Sequence, residues 1–325
     1  KYKGLQPEKY PETVAKEISK GSTPEGMHIS SMAREIQGFL QIQPGQKGLD
    51  ATLGYGGHTQ EMLKCLQSKG HLYALDVETI EMAKTRERLL KLGYGPEILT
   101  VRQLNFAHID QVAAEAGPFD FILADLGVSS MQIDNPERGF SFKKDGPLDL
   151  RLDSEKGIPA SQRLMTISRE ELQGMLIENS DEPYAEEIAK AIVNEIKRGN
   201  EITTTTRLRE VIETALSFIP EADRKEAVKK SCQRTFQALR IDINSEFEVL
   251  YQFLEKLPDV LAPGGRVAIL TFHSGEDRIV KKSFKQLHKA GIYSEIASDV
   301  VRPSAEECGI NSRARSTKMR WAVKA

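Results

Sequence analysis

Short apolar runs alternate with amphipathic segments along most of this chain. Five of the runs have the length and the bounding residues of buried strands, and they lie near Gly48–Leu53, Leu72–Asp76, Ile98–Val101, Phe119–Asp125 and Arg266–Phe272. Apolar residues recur at helical spacing near His58–Gln67, Thr79–Leu92, Phe106–Ala116 and Asn244–Leu257. This alternation is typical of an α/β fold, in which helices cover both faces of a parallel sheet.

The C-terminal part of the chain predicts that one edge of this sheet is antiparallel. Two further apolar runs, Tyr293–Ala297 and Thr317–Val323, are candidates for an antiparallel pair of strands. The fifth strand is preceded by the sequence LAPGG at Leu261–Gly265, in which Pro and Gly predict a turn. We therefore expect a Rossmann-like sheet with an antiparallel pair at one edge.

A long gap separates the fourth and fifth predicted strands. It measures roughly 140 residues, far more than one crossover helix requires. Apolar residues at helical spacing fill much of it, as in residues 186–196 and 208–216. We therefore predict a sheet domain in two parts, residues 28–138 and 233–325, with a helical insertion at residues 139–232.

Composition narrows the class of protein. The chain has 325 residues, of which 39% are hydrophobic, and no window reaches the roughly 18 unbroken apolar residues of a membrane span, so we expect a soluble protein without a membrane partner. The formal net charge of -2 means that a nucleic acid would be held by a local basic patch. The three cysteines form no C-x-x-C pair, which disfavours a disulfide framework and a Cys-rich metal site.

Three glycines, Gly54, Gly56 and Gly57, lie between the first strand and the first helix. Glycines there let backbone N–H groups approach a ligand, and a helix N-terminus favours negative charge. Asp76 ends the second strand about 20 residues later, where a carboxylate binds the ribose hydroxyls of an adenosine cofactor. The spacing does not separate NAD from S-adenosylmethionine, although Thr59 at the third glycine position of the dinucleotide fingerprint disfavours NAD. An ordinary tight turn is the alternative.

Two polar residues end the fourth and fifth predicted strands. Methyltransferases that act on exocyclic amines place an Asp or Asn where Asp125 stands, because hydrogen bonds from the amine localise a lone pair that is otherwise delocalised into the ring. A strand-end cap is the alternative for Asp125, since the aromatic residue that usually follows is missing. His273, beside Ser274, is a candidate proton acceptor or base reader, with a helix cap as its alternative.

Six segments carry a resemblance to a known family. In chain order they read DATLGYGGHT, ALD, ADLGVSSMQIDNPERGFSFKKDGPLDLRLD, RTFQALRIDINSE, LAPGGRVAILTFHSGEDRIVK and NSRARS. From about His28 to its end, the chain resembles the small-subunit ribosomal RNA methyltransferase H family, also called MraW. The resemblance implies a class I S-adenosylmethionine-dependent methyltransferase sheet with an inserted helical domain. It also implies methylation of the exocyclic N4 of one cytidine in the decoding region of small-subunit rRNA.

The resemblance implies site residues as well. The catalytic residues would be Asp125 and His273. The residues that bind S-adenosyl-L-methionine would be Gly54, Gly56, Gly57, His58, Asp76, Phe106, Asp125 and Gln132. The residues that bind the substrate would be Ser129, Ser130, Arg138, Phe142, Arg240, Asn244, Ser274, Arg313 and Arg315. Taken alone, Phe106 fits a core position equally, Phe142 fits a pocket wall, and Arg240 fits a bracing role.

A cytidine N4 inside a helix is hidden, so the enzyme is expected to take an unpaired base or to flip one out. The expected partner is small-subunit rRNA in an assembling subunit, with a monomer or a homodimer left open. Basic residues that are candidates for phosphate contacts are Lys143, Lys144, Arg151, Arg234, Arg313, Arg315 and Arg320, each of which alone also fits a solvated surface.

Residues 1–27 are polar, contain three prolines and start at Lys1, which together suggest an N-terminal extension on an organellar, plausibly plastid, form. The bacterial cytoplasm is the alternative location. Three rival functions also remain. They are a methyltransferase of the same fold acting on another RNA or a small molecule, a ribosome-assembly factor without catalysis, and an NAD-dependent dehydrogenase.

Overall fold

The computed structural model of the protein describes residues 30–128 and 130–325, with only the backbone of Ser130 and Met131. Two predictions therefore lie outside the described residues: the N-terminal extension at residues 1–27 and the substrate contact at Ser129. The chain divides into two compact units. The first, the sheet unit, comprises the chain up to Gly127 together with Val249–Ala325, and the second, the helical unit, is Val128–Glu248.

Seven strands of the sheet unit form one sheet. They are Lys47–Asp50 (β1), His71–Asp76 (β2), Leu99–Gln103 (β3), Phe119–Asp125 (β4), Leu261–Thr271 (β5), Tyr293–Ile296 (β6) and Lys318–Lys324 (β7). Their order across the sheet is β3-β2-β1-β4-β5-β7-β6. The pairs among β1 to β5 are parallel, whereas β7 runs antiparallel to both β5 and β6. The predicted Rossmann-like sheet with an antiparallel edge is confirmed.

The α-helices of the described part, in chain order, are Ala33–Leu40 (α1), Gly57–Leu66 (α2), Thr79–Lys91 (α3), Ile109–Ala116 (α4), Ser130–Asp134 (α5), Ala160–Thr166 (α6), Arg169–Ser180 (α7), Ala185–Lys197 (α8), Thr205–Ala215 (α9), Glu221–Ile243 (α10), Glu246–Val260 (α11), Ser274–Lys289 (α12) and Ala305–Ile310 (α13). Short 3-10 helices occupy Phe106–His108, Pro136–Arg138 and Ser312–Ser316. In the described ranges, no helix is long and apolar enough to cross a bilayer.

Two strand boundaries differ from the sequence prediction by more than two residues. The first strand ends at Asp50 instead of Leu53, where the Asp50 carboxylate accepts the N–H of Thr52 at 3.0 Å and forms a local turn. The sequence LAPGG is not a turn ahead of β5 but a bulge within it. Leu261 pairs with Phe119 and the next paired residue, Arg266, already faces Phe121, so the residues between them bulge out of the ladder.

Close packing holds the central strands together. Phe121 is fully buried in the middle of β4, and its ring lies so close to Gly48 on β1 that a Cβ there would sit 2.0 Å from it. The same sheet face packs Leu72, Leu123 and Leu270 into one apolar cluster. A residue with a side chain at Gly48 would therefore displace the Phe121 ring and separate β1 from β4.

The helical unit has a core of its own, built by α6 to α10. The sequence predicted its limits at residues 139 and 232, but the compact unit runs from Val128 to Glu248. One reason is that α10 is a single helix that continues past Cys232, whose side chain is buried in this core beside Phe236. Because that helix cannot be divided, the residues that follow Cys232 remain with the helical unit.

A buried ion pair links β7 to α12. Arg320 was a candidate for an RNA phosphate contact, but it is only 7% exposed and its guanidinium donates to both carboxylate oxygens of Asp277, at 2.7 and 3.0 Å. That prediction is wrong for Arg320, because its charge is already neutralised inside the protein. Burial alone would raise the pKa of Asp277, but the bonds and charge of Arg320 bring it below its ordinary value.

Asp277→Asn is expected to lower the free energy of unfolding at pH 7 by about 2 kcal/mol, because Arg320 loses its countercharge. Since the pKa of Asp277 is lowered on folding, this contribution is present above its unfolded pKa and disappears as the pH falls through the folded one. Urea unfolding at pH 7 and at low pH tests this. Glu81→Gln, which breaks a partly exposed pair with Lys84, is the control and should change little. Equal unfolding curves for Asp277→Asn and the parent protein would contradict the prediction.

Candidate active site

Parallel strands end at one edge of the sheet, and their order reverses direction between β1 and β4. Ligands of such sheets bind beyond the carboxyl ends of the strands near this reversal. Three of the strands deliver a carboxylate there: β1 ends at Asp50, β2 at Asp76 and β4 at Asp125. This edge is therefore where a functional site is expected.

The glycine turn follows β1 and leads into α2. Gly54 and Gly56 have φ angles of 51° and 78°, which a residue with a side chain rarely adopts. A Cβ on Gly56 would sit 2.8 Å from the Thr85 methyl carbon, whereas a Cβ on Gly54 would meet only the Thr52 carbonyl oxygen at 4.0 Å. The turn thus packs tightly against α3 and stays open beside Gly54, where a ligand can approach the backbone.

Asp76 is tied to this turn. Its carboxylate accepts the N–H of Gly54 at 3.2 Å and the N–H of Glu78 at 3.1 Å. Burial nevertheless raises the pKa of Asp76 to about 6, against the lowering effect of these backbone bonds. A carboxylate that is costly to ionise and lies against a glycine turn is typical of a functional position. The structure places Gly54 and Asp76 together, as the sequence spacing suggested.

Asp50 is a member of the site that sequence reasoning missed. It is 1% exposed, and it accepts the Thr59 hydroxyl at 2.5 Å in addition to the Thr52 N–H. Burial raises its pKa. The signal in the sequence was the pair of threonines on either side of the glycines, but Thr59 was considered only as a departure from the dinucleotide fingerprint. Thr59 in fact joins the first turn of α2 to the end of β1.

Thr59→Val is expected to lower the free energy of unfolding by about 2 kcal/mol, because the buried Asp50 carboxylate loses a donor while the side-chain volume is kept. Urea unfolding at pH 7 measures it. Thr100→Val is the matched control, since the Thr100 hydroxyl contacts only the His71 ring at the other edge of the sheet and its loss should cost clearly less. Equal losses in the two variants would show that Asp50 does not depend on Thr59.

Asp125 is held by its backbone and by one carboxylate oxygen. Its N–H donates to the Thr52 hydroxyl at 2.7 Å, and its Oδ1 accepts the N–H of Gly127 at 3.2 Å. Its Oδ2 lies 3.5 Å from Nε2 of His58, on the first turn of α2. The side chain is 26% exposed, so the carboxylate can meet a ligand from solvent. The carboxylate therefore faces the helix that begins at the glycine turn.

His273 and Ser274 begin α12 at the end of β5. The His273 ring caps this helix, because its Nδ1 accepts the N–H of Glu276 at 3.4 Å, and its Nε2 lies 3.3 Å from the Glu276 carboxylate. The helix cap that the sequence left as an alternative is thus formed. Phe272 packs against Gly127, where a Cβ would be 2.7 Å from its ring. A catalytic role for His273 and a substrate contact at the exposed Ser274 stay predictions.

Two of the predicted cofactor residues, Phe106 and Gln132, lie outside the glycine turn and the strand ends. Phe106 is half-buried, and its ring meets the ring of Phe253 edge to face at 5.1 Å, so the core position that its sequence also fitted is partly realised. Gln132 lies half-buried on α5 of the helical unit. Ser130 begins the same helix. Their contacts with cofactor or substrate stay predictions.

The substrate residues predicted in the helical unit make internal contacts. Arg138 donates to the carbonyls of Arg151 and Leu152, and Asn244 accepts the N–H of Leu152 at 2.8 Å. Asn244 also donates to the carbonyl of Leu150, whose φ of 69° is unusual for a residue with a side chain. These two side chains therefore fix the backbone at residues 150–152.

Arg240 and Phe142 are braced in the same unit. Arg240 donates to both carboxylate oxygens of Glu246, at 2.9 and 3.2 Å, which is the bracing role that its sequence also fitted. Phe142 packs against the ring of Phe236 at 5.5 Å. In the sheet unit, by contrast, Arg313 and Arg315 are exposed on the 3-10 helix that precedes β7.

The model of the MraW methylase family matches residues 25–325. The chain belongs to the MraW methylase family. A protein of this kind from Lachnoclostridium phytofermentans, named ribosomal RNA small subunit methyltransferase H 1, is 75% identical over 325 residues, which is 100% of this chain and 89% of that protein. A second, from Alkaliphilus metalliredigens, is named ribosomal RNA small subunit methyltransferase H 2 and is 66% identical over 100% of this chain and 93% of its own length.

These relatives correct one expectation. They come from bacteria, and the plastid form that we expected has no support. The match to these relatives includes all 325 residues of this chain, whereas the family model begins at residue 25. The family membership agrees with the resemblance of the six segments.

Proposed function

We propose that this protein uses S-adenosyl-L-methionine to methylate the exocyclic N4 of a cytidine in the decoding region of small-subunit rRNA, in the bacterial cytoplasm. The observation that carries the proposal is the carboxylate of Asp125 at the end of β4, directed towards α2 and the glycine turn. Membership in the MraW methylase family and relatives named as rRNA small subunit methyltransferases support it.

The residues at the edge of the sheet fit a bound S-adenosylmethionine. The open side of Gly54 leaves room for a ligand against the backbone, and the Asp76 carboxylate beside it would accept the two ribose hydroxyls. Gly56, Gly57 and the backbone of His58 begin α2, whose N–H groups point out of its N-terminus. When bound, the ligand supplies an electrophilic methyl group on a sulfonium.

Asp125 would orient the amine. The N4 lone pair of cytosine is delocalised into the ring, and a hydrogen bond from N4–H to the carboxylate makes it available for attack. The same carboxylate would accept the proton that the nitrogen loses. The backbone bond to Thr52 and the bond from Gly127 hold Asp125 in place, so little reorganisation is needed when the substrate binds.

RNA phosphates would meet exposed cations. Arg313 and Arg315 in the sheet unit, and Lys143 and Lys144 in the helical unit, are exposed and are the proposed contacts. Ser129, Ser130, Phe142 and Ser274 stay proposed contacts with the substrate. Arg138 and Asn244 would act by fixing the backbone at residues 150–152, and Arg240 would act through its pair with Glu246. Substrate recognition in an assembling subunit, by a monomer or a homodimer, is part of the proposal.

Methyl transfer to small ribosomal subunits that lack the modification tests the proposal. The purified protein, labelled methyl donor and immature or mature subunits are combined, and the rRNA is digested and analysed for N4-methylcytidine by mass spectrometry. Label in N4-methylcytidine at one position supports the proposal, and label in another nucleoside or in a protein contradicts it.

Binding without any transfer would favour the non-catalytic assembly factor. Binding of NAD in calorimetry would support the NAD-dependent dehydrogenase, and the absence of NAD binding would exclude it.

A further inference from the structure

His58 contributes a buried imidazole ring to the active site. The proposed cofactor contact uses the backbone of His58 and leaves the role of the ring open. The residue is 8% exposed, and Nε2 lies 3.5 Å from Oδ2 of Asp125. Within residues 30–128 and 130–325, neither ring nitrogen makes a hydrogen bond. Buried polar groups in proteins are almost always bonded, so an exception beside a catalytic carboxylate points to a role in the reaction.

The carboxylate of Asp125 needs a second point of attachment. Its Oδ1 accepts the N–H of Gly127, while Oδ2 faces the His58 ring. One bond fixes the position of an oxygen but leaves the plane of the carboxylate free to rotate. An amine N–H is bound best when it lies near that plane, so the rotation decides how well the amine is oriented.

We propose that His58 is a positioning residue for methyl transfer: its Nε2–H donates to Oδ2 of Asp125 and fixes the plane of the carboxylate that binds the amine. This inference rests on the proposed function, because the amine is the substrate assigned there. The separation of 3.5 Å is at the long end for a hydrogen bond. Catalytic hydrogen bonds are often long without substrate and shorten in the complex.

Other carboxylates lie near the His58 ring. Besides Asp125, the carboxylates of Asp50 and Glu307 are close enough to interact with His58. Glu307, on α13, is held by the N–H of Met32 at 3.0 and 3.2 Å, and Glu35 lies near it. Burial raises the pKa of both Asp50 and Glu307. Of these carboxylates, that of Asp125 lies 3.5 Å from Nε2 and is therefore the acceptor in the proposal.

The proposed role keeps the reaction balanced. The amine nitrogen forms a bond to the methyl carbon while the carbon–sulfur bond breaks, and the sulfonium becomes a neutral thioether. The nitrogen then gives one proton to the Asp125 carboxylate, which releases it to solvent. His58 keeps its ring proton throughout and acts only through Asp125.

Two substitutions separate a donor from other roles. His58→Ala removes the donor, and kcat is expected to fall by about 10²-fold with KM for S-adenosylmethionine changed by less than about threefold. His58→Gln places an amide N–H near the position of Nε2 and should restore kcat to within about tenfold of the parent enzyme. His71→Gln is the control, since His71 begins β2 at the opposite edge of the sheet and should behave as the parent.

Three results would overturn the proposal. Equal kcat losses in His58→Gln and His58→Ala would mean that a donated N–H at this position is not what the reaction requires. A weaker affinity for S-adenosylhomocysteine in calorimetry, with kcat unchanged, would make His58 a cofactor contact only. Parent-like kinetics of His58→Ala would leave the ring without a role in the reaction. Thermal unfolding of each variant confirms that it is folded.

Nitrogen NMR of the histidine-labelled protein provides a readout without substrate. The His58 signals are assigned by their loss in His58→Gln. A protonated Nε2 that shifts in Asp125→Asn, while the His71 signals stay, supports the proposal, and an unprotonated Nε2 overturns it. If the parent protein transfers no methyl group to rRNA, the proposed function fails, yet the NMR result still decides whether His58 donates to Asp125.

Discussion

Asp125→Ala is expected to reduce methyl transfer to rRNA by about 10³- to 10⁴-fold while the protein stays folded. The substitution removes the acceptor that orients the amine and takes its proton, and no other carboxylate ends β4. The side chain is 26% exposed and its loss opens no apolar core, so the fold is retained. Single-turnover rates at saturating S-adenosylmethionine and saturating subunits measure the loss in the chemical step.

Asp125→Asn refines this expectation. The amide keeps an oxygen that can accept the amine N–H but cannot take a proton, so its rate should lie between those of the parent and Asp125→Ala. Asp120→Ala is the control, because Asp120 lies on the same strand at the opposite edge, where it accepts the N–H of Lys47. A folded Asp125→Ala protein with full activity would exclude Asp125 from catalysis.

Asp76→Asn is expected to weaken the binding of S-adenosylmethionine on the order of 10³-fold, because two hydrogen bonds from ribose hydroxyls to an ionised carboxylate are lost or weakened. Burial raises the pKa of Asp76 to about 6, so affinity in the parent protein should fall as the pH decreases through about 6. In Asp76→Asn, affinity should be low at every pH. Calorimetry with S-adenosylmethionine between pH 5 and pH 8 measures both curves.

The same substitution should make the ligand-free protein more stable. Because the pKa of Asp76 is about 6 when folded and near 3.8 when unfolded, ionisation opposes folding as the pH rises through this window. The cost reaches about 3 kcal/mol above pH 7. The amide loses one accepted backbone bond, worth about 1 kcal/mol, so the net gain is about 2 kcal/mol at pH 8 and vanishes near pH 4. If Asp76→Asn were instead less stable than the parent protein at pH 8, ionisation of Asp76 would not oppose folding.

The sequence alone predicts the strand ends at Asp76 and Asp125. Each follows an apolar run whose length fits one buried strand, so the first charged residue marks the edge of the sheet. The order of motifs then identifies the family, which the comparison confirmed. These features are local in sequence, and local patterns are what a single sequence shows most directly.

Local patterns did not predict the surroundings of Asp50 and Arg320. The apolar residues after Asp50 extend the first run to Leu53, so the strand end was hidden, and the Asp50 side chain forms a local turn there. Arg320 stands among basic residues that face solvent, but its partner Asp277 lies on another element, 43 residues away. Burial and long-range pairing depend on tertiary packing, and no local pattern reports them.

The path of the chain has a consequence for the order of folding. β4 and β5 are neighbours, yet all of Val128–Glu248 is synthesised between them. The helical unit leaves the ribosome complete, with its own core, while β4 still lacks the neighbour that covers one of its edges. Helices with local contacts assemble faster than a parallel sheet closed across a long loop. The sheet, and with it the carboxylate at the end of β4, is therefore expected to be completed last, after β5 has emerged.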